Sequence, residues 1–202
     1  KAPVKGKLQI SYKGDYSMDF ADLSDYNLMN AREKLEFEKL AGVYKDNTND
    51  PFNQIKLDNL YNSRLRDIEQ GVNTYWLSVP LRTGFTHKHN VYAEGGEGNV
   101  RYGIGLNYGK VNGVMKGSDR QTLGGNLDLL YRTGKFQFSN KLSIDYLETN
   151  NPTVSFAEYA QANPYYKKYG ENGKINKYLY YPEDGLNDYP VSNPLWNAHL
   201  NN

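Results

Sequence analysis

Six tyrosines crowd one stretch of this sequence, Tyr165, Tyr166, Tyr169, Tyr178, Tyr180 and Tyr181, with Lys167, Lys168 and Lys177 among them. Flat rings with polar tips stack on a sugar ring or an extended peptide, and they suit a protein interface equally well. A long loop must also fold on itself, and tyrosine fills that role too. The other groups capable of chemistry give weaker signals. His87 and His89 are two residues apart, so on a strand they share a face, but no third ligand lies nearby in sequence. No metal site is expected. Asp46-Asn47-Thr48-Asn49-Asp50 has some features of a calcium loop, yet Thr48 takes a ligand position and no glycine follows Asp50, which serves better as a helix cap. Gly95-Gly96-Glu97-Gly98 lacks the lysine and helix of a phosphate loop and reads as a turn. Glycoside hydrolysis needs two positioned carboxylates. Glu36 with Glu38, or Glu183 with Asp184, are available, but neither pair sits on a strand end above a cleft. No catalytic residue, cofactor or enzymatic activity is assigned.

Composition narrows the field. A net charge of +1 over 202 residues gives no bulk electrostatic case for nucleic acid. The absence of cysteine excludes a disulfide framework and thiolate metal sites. No run of apolar residues is long enough for a transmembrane helix. A mean hydropathy of −0.81 does not bear on strands that cross a membrane, because half of each such strand faces water.

The elements that must position these groups are strands. Val100-Arg101-Tyr102-Gly103-Ile104-Gly105-Leu106-Asn107-Tyr108 alternates apolar with polar or glycine at every step. The same rhythm runs through Leu8 to Lys13, Leu123 to Leu129 and Phe136 to Tyr146. Period two means a strand with one face in an apolar medium and one in water. Globular strands average about 5–6 residues, whereas strands that cross an outer membrane need about 9–11. Phe136 to Tyr146 has the greater length, and aromatics (Tyr12, Tyr16, Tyr102, Tyr108, Tyr131, Phe136, Phe138, Tyr146) mark the ends of the apolar faces, as interfacial girdles do.

The expected fold is therefore all-β: a segment of a large antiparallel transmembrane β-barrel, about six strands, with long and partly helical extracellular loops. Residues 1–18 supply the first strand, and 19–83 a long loop with two helices. Residues 84–147 supply strands two to five, 148–193 a tyrosine-rich loop, and 194–202 the start of a sixth strand. In the first loop, Asn30 with Glu33 forms a capping box before Phe37, Leu40, Ala41 and Tyr44, and Asp50-Pro51 introduces a stripe of Leu57, Leu60, Tyr61, Leu65 and Ile68. Ser155 with Glu158 starts a short third helix. Connections run long, short, medium, short, long, the parity of long outer loops and short periplasmic turns. On this reading Lys13, Asp15, Arg101, Asn107, Asp128, Lys141 and Asp145 face the lumen, with Arg101 and Asp128 toward the periplasmic half. The competing architecture is a soluble, aromatic-rich β-sandwich that binds carbohydrate, in which the apolar faces would lie against a second layer.

Several stretches resemble one family. Asn30-Ala31-Arg32-Glu33-Lys34-Leu35-Glu36-Phe37-Glu38-Lys39-Leu40-Ala41-Gly42 and Trp76-Leu77-Ser78-Val79-Pro80-Leu81-Arg82-Thr83-Gly84-Phe85-Thr86-His87-Lys88-His89-Asn90 are similar to segments of the SusC/RagA-type TonB-dependent outer-membrane transporters of Bacteroidetes. Tyr92-Ala93-Glu94-Gly95-Gly96 and Tyr102 to Tyr108 resemble the strands that follow. The resemblance runs in order over nearly the whole chain and matches the start of the barrel after the plug domain. It implies a barrel of roughly 22 strands, a plug in its lumen, a TonB-interacting segment, a SusD-like surface lipoprotein as lid, and uptake of oligosaccharides or peptides energised through the TonB complex. The implied location is the cell outer membrane, with lipid around the strands. The chain is expected to be an internal part of something longer, without the plug and without transport activity of its own.

Overall fold

The computed structural model describes residues 3–182 and 189–199, and the chain forms two compact units. Glu183 and Asp184, weighed above as a carboxylate pair, lie outside the described residues.

The first unit is a five-stranded antiparallel meander: β1 (Gly6–Asp19), β2 (Gly84–Gly96), β3 (Val100–Asn112), β4 (Asp119–Thr133) and β5 (Phe136–Asn150), in that spatial order. The turns explain the hairpins. Gly98 (φ 57°) and Gly134 (φ 56°) take the left-handed conformation that closes β2–β3 and β4–β5. Arg82 ties down the β3–β4 connection, donating from Nε to the Gly113 carbonyl and from its backbone N–H to Val114, and pairing with Asp119.

Register carries the apolar residues onto one face in cross-strand rows. Ile10, Ala93, Ile104, Leu127 and Leu142 form one row, and Tyr12, Val91, Leu106, Gly125 and Ile144 the next. Toward the β2–β3 turn the rows hold Tyr102, Tyr131 and Phe138; toward the opposite end they hold His89, Tyr108 and Tyr146. An aliphatic band thus lies between two aromatic belts. This face is bare: Ile10 is 68% exposed and Ile144 66%. No second sheet covers it among the described residues, so the sandwich arrangement is not present.

Two sequence expectations are corrected here. The sheet is not closed into a barrel: β1 pairs with β2 alone and β5 with β4 alone, so the two outer edges do not meet. Alternation predicts strands and faces but says nothing about closure, which needs about eight or more tilted strands. The expected sixth strand is a helix, α4 (Pro194–His199). Asn193 caps it, its Oδ1 accepting from the Leu195 N–H at 3.0 Å, and Pro194 stands at the first helical position, where its missing N–H costs nothing.

The second unit contains α1 (Ala31–Leu40), α2 (Pro51–Glu69), a 3₁₀ turn (Trp76–Ser78), α3 (Phe156–Ala160), a small ribbon of β6 (Tyr178–Tyr180) with β7 (Val191–Ser192), and α4. Both capping boxes are formed, Asn30 with Glu33 and Ser155 with Glu158, and the Asp50 side chain accepts from the Phe52 N–H ahead of α2. The core holds Leu35, Tyr44, Trp76, Leu77, Val154, Tyr159, Tyr165 and Tyr166. The buried stripe of α1 is Ala31, Leu35 and Glu38, while Phe37 and Leu40 are exposed, so the more apolar-looking face of that helix points outward. The α2 helix keeps its stripe half-buried.

Candidate functional site

The tyrosine cluster is organised around two side chains from the helices. Glu38, on the inner face of α1, accepts from the Tyr44 hydroxyl at 2.7 Å and from the Tyr165 hydroxyl at 3.0 Å, with Lys34 at 3.4 Å one turn earlier. Arg64 extends from α2 and donates to the Tyr44 hydroxyl at 2.6 Å and the Tyr166 hydroxyl at 3.4 Å. Its guanidinium lies over the rings of Tyr165 (4.6 Å), Tyr180 (5.3 Å), Tyr44 (5.6 Å) and Tyr166 (5.9 Å). Much of the aromatic cage that the sequence offers to a ligand is therefore filled by the protein's own cation. Glu38 also stands 3.7 Å from Arg64, so the charges are compensated inside the cluster.

Electrostatics keep these groups in one protonation state. Burial pushes the Tyr165 and Tyr166 phenols up, only partly opposed by Arg64, and burial raises Tyr44 in the same way. Burial alone would lower the Arg64 guanidinium, but the phenol oxygens of Tyr165, Tyr166 and Tyr44 outweigh it and the shift is upward. The cluster thus presents neutral phenols around a permanent cation that is paired with Glu38.

A cavity of about 280 Å³ opens beside it, lined by Arg64, Tyr165, Tyr166, Tyr169, Tyr178 and Tyr180 among others. That lies at the lower edge of the range for small-molecule sites and suits one ring-sized group. Five of the six tyrosines line this cavity; Tyr181 does not, packing edge-on against Tyr178 at 5.4 Å with most of its surface exposed. Tyr165 and Tyr166 are buried, whereas Tyr169 is 52% exposed. Lys167 is engaged by Asp67 at 2.7 Å, and Lys177 stands over the Tyr178 ring. Tyr169, Tyr178 and Tyr181 are the ones free to meet something outside.

Arg64 escaped the sequence reading, though a signal existed. It sits three residues after Tyr61 and four before Ile68, a cation on the stripe that the helix turns inward. Glu36 and Glu38, weighed as a catalytic pair, point apart: Glu36 is exposed and Glu38 is committed to the tyrosines.

On the sheet, register places Lys13, Asp15, Arg101, Asn107, Asp128, Lys141 and Asp145 on the polar face, opposite the apolar band. Lys13 pairs with Asp15 at 3.1 Å, and Lys141 approaches Asp128 across β4–β5 at 3.9 Å. Asn107 and Asp145 flank Gly124 from the neighbouring strands. A Cβ at Gly124 would collide with both, so the glycine lets polar side chains lie flat. His87 and His89 lie on the other face, among Tyr12, Tyr16 and Tyr108. Among the described residues, no three His, Asp or Glu side chains converge, and no helix is long and apolar enough to cross a membrane.

No protein-family model matches this sequence, and no curated protein matches it. Solved structures do. The chain is similar to the RagAB peptide importer in its "closed-closed" state (TM-score 0.68, 15% identity) and to the RagAB peptide transporter (0.68, 16%). It is similar also to the importer's "open-open" state (0.65, 18%). Each match covers 97% of this chain and 24% of the solved one, so the chain spans about a quarter of the length of its structural neighbours. At these identities the likeness is one of fold.

Proposed function

We propose that this chain is part of a TonB-dependent nutrient importer of the cell outer membrane, taking up oligosaccharides or peptides with a SusD-like surface lipoprotein. Its work is binding and passage, without bond chemistry. The observation that carries this reading is the bare apolar face of the sheet: an aliphatic band between two aromatic belts, backed by a polar face. Exposing so much apolar surface to water is unfavourable at about 25 cal/mol per Å², and lipid removes that cost. The fold likeness to peptide-importer structures supports the same reading. In this role the apolar face meets outer-membrane lipid, and Tyr169, Tyr178 and Tyr181 meet substrate or the lipoprotein. Energy reaches the importer from the TonB complex.

Neighbouring residues on β5 test it. Ile144→Cys and Ser143→Cys stand on opposite faces of one strand. In membranes from cells making the full protein, Ile144→Cys should react with a lipid-phase spin label and resist a water-soluble thiol reagent, and Ser143→Cys should do the reverse. Equal reaction of both positions from water would overturn the proposal.

A further inference from the structure

We propose that His87 and His89 form a chelating site for one divalent transition-metal ion of the copper, nickel or zinc type. The proposal stands apart from the transport reading, and the pair lies at the polar end of the apolar face, in and beside the row Tyr16, His87, Lys110, Gln121 and Glu148, outside the aliphatic band. The sequence gives only the spacing; the structure adds convergence. The two side chains rise from the same face of β2, and His87 Nδ1 lies 3.1 Å from His89 Nε2. With metal–nitrogen bonds of about 2.0–2.1 Å, two nitrogens that far apart span adjacent positions around one ion. Small rotations of rings already inclined at 60° open the hydrogen bond to admit it.

The protons fit. His89 Nδ1 lies 2.7 Å from the Tyr12 hydroxyl. With Nδ1–H donating to Tyr12, the lone pair of His89 is on Nε2, facing His87. That hydrogen bond holds the ring orientation, as outer partners do for metal-bound histidines. His87 then donates from Nδ1 to His89 Nε2. To bind the ion it moves its proton to Nε2, frees Nδ1, and no net proton is released. Tyr16 and Tyr108 pack against His89 and restrain the ring further.

The ligand type selects the ion. The two ligands are imidazole nitrogens, which do not suit calcium or magnesium, ions that want oxygen ligands. Ions that imidazole binds strongly are favoured, and water completes their coordination.

The test uses the full protein, purified without a histidine tag, and Cu²⁺ as the probe. The expected result is one ion per chain by calorimetry, with selective paramagnetic broadening of the His87 and His89 imidazole signals in the unmodified protein. His87→Asn and His89→Asn should each lose the site, and Tyr12→Phe should weaken it about tenfold. His199→Asn should leave it unchanged. Absence of binding, binding that survives either His→Asn change at β2, or broadening confined to His199 would overturn the proposal. The broadening is read on the unmodified chain, so a variant that fails to fold does not leave the question open.

Discussion

In the sheet unit Tyr12, Tyr16, Tyr131 and Tyr146 stand exposed among the described residues, while in the helical unit Tyr44, Tyr159, Tyr165 and Tyr166 are buried. The residue type is the same and the physical use is opposite. On the sheet the backbone ladder fixes position, and the side chains are free to serve the surrounding medium. In the helical unit short elements have little ladder of their own, so hydrogen bonds accepted by Glu38 and donated by Arg64 hold the segments together. A tyrosine-rich loop is therefore as much scaffold as binding surface, and only its outer rim is available for recognition.

The largest expected effect of breaking this contrast is at Glu38. Replacing Glu38 with Gln leaves Arg64 without its compensating charge amid rings and phenols, and loss of one partner of a buried pair costs about 3 kcal/mol or more. Hydrogen exchange of α1 and α2 should accelerate by that amount, with the protection of β2–β4 unchanged. Loss of protection in both units together would show that they unfold as one. Next comes a matched pair of truncations. Leu35→Ala, at a position 1% exposed, should cost about 2–5 kcal/mol in the helical unit. Ile144→Ala should cost about 0.5 kcal/mol or less in detergent, because its side chain leaves no cavity behind. Comparable losses at both sites, read by denaturant unfolding, would mean the sheet face is packed against something.

Two adjacent glycines sharpen the comparison within the sheet itself. A Cβ at Gly124 meets the tips of Asn107 and Asp145 on the polar face, and these flexible ends must swing away, so Gly124→Ala should destabilise by about 0.5 kcal/mol. At Gly125, on the apolar face, the nearest atom is a Leu106 methyl at 3.6 Å, an ordinary contact. Gly125→Ala should be neutral or stabilise by about 0.5 kcal/mol, since alanine loses less backbone entropy in a strand. The same measurement on both variants decides it, and a larger cost at Gly125 than at Gly124 would contradict the assigned faces.

What was legible in the sequence was local. Alternation gave strand faces because side chains on a strand point up and down in turn, and Asn30 with Glu33, Asp50 with Pro51 and Ser155 with Glu158 marked helix starts because orphan N–H groups need acceptors close by. What was not legible depends on contacts distant in sequence. Closure of the sheet is one such property, and its absence corrected the fold. The α1 helix offered Phe37 and Leu40 as its apolar face, yet the buried side is set by Glu38 reaching Tyr165, 127 positions away. At residues 194–199 the apolar Leu195-Trp196 looked like a strand start, while the local signal Asn193-Pro194 pointed to the helix that forms. The tyrosine cluster was visible as composition; the arginine that fills it was not.

The smallest effect is alkaline. Tyr44, Tyr165 and Tyr166 have phenols raised by burial above the ordinary value of about 10. A raised folded-state pKa means the folded unit favours the neutral phenol. The resulting stability is fully present below about pH 10 and is lost progressively as pH climbs from there toward the folded values. Tyrosinate absorbance should therefore rise in two stages, the later one coinciding with loss of helical circular dichroism and with faster exchange in α1 and α2. The strand signal should persist through that second stage. A single ionisation step with the helical signal intact would mean that Arg64 and its tyrosines are open to solvent, and the contrast between the two units would fail at its centre.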